Sequence, residues 1–155
     1  MNLIAFDLGT KCGYAARING QINYGTMDLA PARNRKNEGG GLRYMRFREK
    51  LGVLLSEAQE VKIAVFEEVR RHMGVDAAHV YGGMLATLTS ECERRNIPYE
   101  GIGVQEIKKF VTGRGNASKD EVIEAVKTLG FNPEDDNSAD AIALLYYKIN
   151  QMEGR

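Results

Sequence analysis

The sequence predicts an α/β fold: a mixed five-stranded sheet, three antiparallel strands and then parallel additions, flanked by helices. Three observations carry this. Strand-like runs at 2–7, 13–18 and 21–27 open the chain. Strand-like runs at 61–66 and 97–104 then alternate with helical patterns. Two further helical patterns close it, giving the order βββαβαβαα.

The first run, NLIAFD, is apolar and ends at the carboxylate Asp7, with Gly9 and Gly13 bracketing a tight turn. The next two runs are joined by Asn19-Gly20, the strongest short hairpin signal. Residues 30–41 read as a basic loop with three consecutive glycines. From Leu42, apolar residues Met45, Leu51, Leu54 and Leu55 recur at helical steps. The β-branched run VKIAVF reads as a buried strand ending at Glu67-Glu68. A helix over 76–95 is rich in small residues (Ala77, Ala78, Gly82, Gly83, Ala86), which suits close packing on another helix or subunit. Pro98 suits the entry of an edge strand. Ser118 with Glu121 forms a capping box, and Gly130 ends that helix. The last helix runs from about Ser138 to Met152, with Ala141, Ile142, Leu144, Leu145 and Ile149 on its apolar face.

At 155 residues, 43% hydrophobic and 27% charged, the chain has the size and composition of one globular domain, 1–155. No apolar run reaches the roughly 20 residues of a membrane span. Cys12 and Cys92 lack metal spacing, and with only His72 and His79 a zinc site is not expected; two reduced cytosolic thiols are. Twenty-one basic residues balance 21 acidic ones, so global charge offers no argument for nucleic acid. Locally it does. Over 31–50, Arg33, Arg35, Lys36, Arg43, Arg46, Arg48 and Lys50 face only Glu38 and Glu49. Such a stretch is either a solvated helix face or a phosphate-contacting patch.

The carboxylates are more informative. Asp7 ends the first strand, and Glu67 or Glu68 ends the fourth. If these strands are parallel neighbours, both carboxylates emerge at one sheet edge. Asp140 lies near the start of the last helix, and Asp136 or Asn137 can share its face. Converging carboxylates repel each other unless a divalent cation neutralises them. An all-oxygen ligand set suits Mg²⁺, with Mn²⁺ as a substitute. Two such ions per site, about 4 Å apart, suit phosphodiester hydrolysis.

The segments FDLGTKCGYA, AVFEEV, IKKFVTGRGNASKDEV and NSADAIAL occur in this order. Together they resemble RuvC, the Holliday-junction resolvase family, and more closely its phage-type members. The resemblance covers nearly the whole chain; the Lys pair followed by Gly-x-Gly-x-Ala-x-Lys is its most specific part. It implies an RNase H-like fold, a homodimer formed through the helix at 76–95, and Mg²⁺-dependent nicking of branched DNA in a bacterial or phage-infected cytoplasm. Asp7, Glu67 and Asp140 match the family's metal-binding carboxylates. Lys108 and Lys119 match basic positions near the scissile phosphate, Lys119 with a catalytic role. Bacterial members carry a carboxylate three residues before the last Asp, where this chain has Asn137. Asp136 is the expected fourth ligand; three carboxylates plus an amide oxygen is the alternative. Arg70 stands where bacterial members tend to have a base-stacking aromatic, and Arg43, Arg46 and Arg48 could track the DNA backbone. A non-catalytic junction-binding protein with a degraded metal site is the competing expectation. The Asp7-Leu8-Gly9-Thr10 segment also opens actin-like phosphotransferases, but those need two domains of this size.

Overall fold

The computed structural model describes residues 1–31, 39–72 and 74–154. The expected basic loop thus lies mostly outside the described residues, and with it Arg33, Arg35 and Lys36. The elements are β1 (Asn2–Asp7), β2 (Lys11–Ile18), β3 (Gln21–Asp28), α1 (Leu42–Glu57), β4 (Val61–Glu68), α2 (Val75–Arg94), β5 (Tyr99–Gly103), α3 (Val104–Thr112), α4 (Lys119–Thr128) and α5 (Asp136–Glu153).

The strands form one sheet in the order β3-β2-β1-β4-β5. β1–β2 and β2–β3 are antiparallel, while β1–β4 and β4–β5 are parallel. The β2–β3 hairpin turns through Asn19 (φ 51°) and Gly20 (φ 82°), the two positive φ values that an Asn-Gly turn supplies most readily. Strand alternation sends Ile4 and Phe6 to one face, against α1 and α2, where Phe6 meets Phe47 edge-to-face at 5.8 Å. Leu3, Ala5 and Val65 go to the other face, under α3, α4 and α5. Both faces are therefore covered, as parallel strands require.

Four details differ from the sequence expectation. α3 was not expected: Val104, Ile107 and Val111 recur at helical steps, but the helix follows β5 directly and its first residue was read as the end of that strand. Met45 is 58% exposed, and Phe47 fills the core in its place. Ser118 caps α4 by accepting from the Glu121 N–H, but the Glu121 carboxylate turns to Arg114 at 3.2 Å. The reciprocal capping box sits instead at Asp135 and Ser138, so α5 begins at Asp136 and Asp140 lies in its second turn.

Gly13 lies within β2, paired with Asp7. A Cβ at this position would overlap the Asn137 carbonyl and crowd the Ser138 N–H. The backbone of the α5 N-terminus thus lies directly on the sheet, and only glycine leaves room for it. Gly13→Ala should cost about 1–3 kcal/mol by overpacking, read as a lower urea midpoint with an unchanged m-value. An unchanged midpoint would show that α5 can lift without loss.

Candidate metal centre

Alternation along β1 places Asp7 on the α5 face, in line with Leu3 and Ala5. Along β4 the same argument carries Ile63 and Val65 to Glu67. The pairing of Phe6 with Phe66 sets Asp7 and Glu67 side by side at the carboxyl ends of two parallel strands. Glu68 points the other way and pairs with Arg70 at 3.6 Å, which settles which of the two glutamates belongs here. α5 brings Asp140 over them. Oxygens of Asp7, Glu67 and Asp140 all lie within 4.8 Å of one another.

The start of α5 is fixed by more than Gly13. The Asp135 carboxylate accepts from the Ser138 N–H at 2.9 Å, and the Ser138 hydroxyl accepts from the Asp135 N–H at 3.3 Å. The Thr26 hydroxyl on β3 donates to Asp135 at 2.6 Å, and the Thr26 N–H donates to Glu134 at 2.6 Å. Neither Thr26 nor Asp135 was singled out from sequence. The Asp-x-x-Ser pattern ahead of an apolar helix was the signal that could have found the cap.

Burial, then the charges of Glu67, Asp140 and Asp136, push the Asp7 carboxyl up to about 9. Burial, then Glu67 and Asp136, push Asp140 up to about 7. Burial also raises Glu67, opposed by Lys108. These shifts arise first from burial and, at Asp7 and Asp140, from mutual repulsion that Lys108 and Lys119 only partly oppose. Three carboxylates in reach of a common point, short of positive charge, fit a hard divalent cation.

Asp136 is not in this cluster. Its Oδ2 pairs with Lys119 Nζ at 3.0 Å, although its charge still acts on Asp7 and Asp140. Lys108 from α3 and Lys119 from the first turn of α4 line a cleft of about 150 Å³ with Glu67, Val122 and Asp140. Arg70 lies just beyond β4, with its side chain 84% exposed. On α1, Arg43 is half-buried and its Nε has no hydrogen-bond partner. Arg46 donates to the Ala30 carbonyl. Arg48 instead ties α1 to α2, pairing at 3.4 Å with Glu91, a buried carboxylate that also meets Arg94 and Arg95. The small residues of α2 divide. Gly83 lies where a Cβ would overlap the Tyr44 ring of α1, whereas Val75, His79, Gly82 and Ala86 are exposed. Among the described residues, no helix is long and apolar enough to cross a membrane.

A carboxyl protonated up to about pH 9 in the folded chain, against 3.8 ordinarily, makes the folded state hold more protons across that window. Stability therefore falls as pH rises through it. In EDTA, the urea midpoint should drop between pH 4 and pH 9, and Asp7→Asn should remove much of the drop. A level wild-type profile would show that burial and the neighbouring carboxylates do not raise Asp7.

No family model matches the chain. It is 28% identical over 151 residues to the crossover junction endodeoxyribonuclease RuvC of Prochlorococcus marinus, spanning 93% of this chain and 95% of that protein. Its fold matches Thermus thermophilus RuvC with a TM-score of 0.72 at 22% identity, over 99% of this chain and 97% of that one. Against T. thermophilus RuvC in complex with Holliday junction substrate the TM-score is 0.79 at 20% identity, over 99% and 96%. The yeast mitochondrial Holliday junction resolvase Ydc2 matches with a TM-score of 0.59 at 13% identity, over 97% and 80%. The five-stranded mixed sheet with its flanking helices is thus the RNase H-like fold of these proteins. Similarity along nearly the full length, in sequence and in fold, makes the chain a homologue of the RuvC resolvases.

Proposed function

We propose that the protein is a divalent-metal-dependent, structure-selective DNA endonuclease that nicks four-way junctions and other branched DNA by phosphodiester hydrolysis. The observation that carries this is the carboxylate cluster of Asp7, Glu67 and Asp140, three oxygen ligands within 4.8 Å of one another. Similarity to crossover junction endodeoxyribonuclease RuvC supplies the substrate class.

Asp7, Glu67 and Asp140 would hold Mg²⁺, with Mn²⁺ as a substitute. A bound cation supplies Lewis acidity at the scissile phosphate and lowers the pKa of the attacking water. The side chains do the rest. Lys108 and Lys119 flank Glu67 and Asp140, where positive charge meets the charge that develops on the phosphate. The Lys119 side chain is 76% exposed, so it can exchange Asp136 for a phosphate oxygen without being dug out of the core. That exchange would free Asp136 as a fourth ligand, which a second ion would need. Arg70, whose side chain is exposed, would meet the DNA together with Arg43 and Arg46, and Arg48 would do so only if it leaves Glu91. The work of such an enzyme would lie in the cytoplasm of a bacterium or a phage-infected host.

A synthetic four-way junction and a matched linear duplex, each with Mg²⁺ or with EDTA, test the reading. Mg²⁺-dependent nicking of the junction is expected. Asp7→Asn and Asp140→Asn should each lower it by more than the roughly 10–100-fold typical of losing an outer-shell partner. Junction binding without cleavage in Mg²⁺ or Mn²⁺ would instead favour a binding protein, with Asn137 as the altered ligand position. In the same assay Asp136→Asn should lose activity. Activity unchanged there but raised by Asn137→Asp would move the fourth ligand by one residue.

A homodimer through the exposed face of α2 is part of the same proposal. The small residues Gly82 and Ala86, with Val75 and His79, let a second helix approach closely. Sedimentation should give twice the chain mass and Ala86→Arg a monomer; a monomeric wild type at micromolar concentration would remove this part.

A further inference from the structure

Tyr81 of α2 lies outside the carboxylate cluster, yet its hydroxyl sits on the backbone that carries Glu67. It donates to the Glu67 carbonyl at 2.9 Å and accepts from the Val69 N–H at 3.2 Å. Strand geometry explains why a hydroxyl is wanted there. Successive residues of a strand turn their N–H and C=O groups to opposite neighbours. The Ala64 N–H bonds to the Pro98 carbonyl at 2.9 Å, on the β5 side. Phe66 and Glu68 therefore also face β5, and Val65, Glu67 and Val69 face β1.

β1 ends too soon to serve them. Its last pairing with β4 is Phe6 with Phe66, whereas β4 continues along β5 to the pairing of Glu68 with Gly103. Past Phe66, the tip of β4 has a strand neighbour on one edge only. The Glu67 carbonyl and the Val69 N–H on the other edge are one acceptor and one donor. These are the groups that one more β1 residue would satisfy. The Tyr81 hydroxyl, a donor and an acceptor at once, takes that place.

α2 is a firm base for this clamp. Gly83 lets the helix seat against the Tyr44 ring of α1, and the Tyr81 ring packs on His72 at 4.9 Å. Met84 and Leu88, on the same helix, are fully buried.

We propose that Tyr81 is a positioning residue: by completing the sheet beyond the end of β1, it fixes the Glu67 carboxylate toward Asp7 and Asp140. This rests on the reading of those three carboxylates as a metal centre. Without the hydroxyl, the tip of β4 turns to water for its hydrogen bonds, and Glu67 moves with it. A ligand displaced by about 1 Å is enough to weaken a preorganised site severely.

Tyr81→Phe keeps the ring and removes the hydroxyl. Three readouts apply to the full chain. Hydrogen exchange of the Val69 amide in metal-free protein should quicken several-fold, with the core amides of β1 unchanged. Calorimetric titration with Mn²⁺ alone should show affinity weakened by roughly 10–100-fold, the range for outer-shell partners. Nicking of a four-way junction at fixed subsaturating Mn²⁺ should lose kcat while KM for the junction holds. Unchanged Val69 exchange, or unchanged Mn²⁺ affinity in a variant whose Val69 exchange has quickened, would overturn the proposal. A general loss of core protection with no selective effect at Val69 would also overturn it, by showing a merely structural role. A wild type that binds no Mn²⁺ and nicks no junction would sink the metal-centre reading instead. The Val69 exchange separates that failure from failure of the clamp.

Discussion

The backbone contact between the start of α5 and Gly13 of β2 is the constraint on which the rest of the site depends. A helix on a sheet normally stands off by the length of its side chains. Here a carbonyl of the helix rests where a Cβ would be, and Ala139 and Ala143, both fully buried, keep the approach close. Asp140 is one turn further along. Its carboxylate reaches Asp7 and Glu67 because the helix beneath it is low enough. The Asp135 cap and the Thr26 bonds fix the rotation and tilt of the same helix end. β3 thus helps to hold the site without contributing a residue to it.

Closeness has an electrostatic cost that the protein only partly offsets. Lys108 and Lys119 lower the pKa of Asp140, but burial and neighbouring carboxylates outweigh them. Lys119 is itself engaged by Asp136, which removes a cation from one group to satisfy another. The apo site is thus a local conflict set in an otherwise consistent core, the pattern expected where function rather than stability chose the residues. The ends of β1 and β4 add to it. Their carboxylates emerge where strand pairing stops, so the backbone there must be held by side chains from other elements.

The basic stretch of α1 shows how misleading a run of charges can be when read along one chain. Arg43, Arg46 and Arg48 look alike in sequence, yet tertiary packing gives each a different setting. Arg48 is drawn to Glu91, a buried carboxylate on another helix. Arg46 reaches back to Ala30. Arg43 keeps an Nε without a partner. Similarly, Gly82 and Gly83 are neighbours in sequence, but one is open to solvent and the other receives the Tyr44 ring.

Strand and helix periodicity, the Asn-Gly turn and the Ser118 cap were legible because each is a local property of a few adjacent residues. They determined most of the element order, and with the quoted motifs they pointed to Asp7, Glu67 and Asp140. Parallel pairing of β1 and β4 was conditional in the sequence and became definite only in the sheet. Several features were not legible there. α3 follows β5 with no intervening turn residues to mark where strand becomes helix. Tyr81 was not singled out, because its backbone partners lie on another element. The Asp136–Lys119 ion pair was not foreseen either. What separates such residues is distance across the fold: which carbonyl lies over Gly13, which strand ends first, which lysine is nearest. Those distances arise from packing between elements far apart in the chain, and a sequence records the packing surfaces but not their alignment.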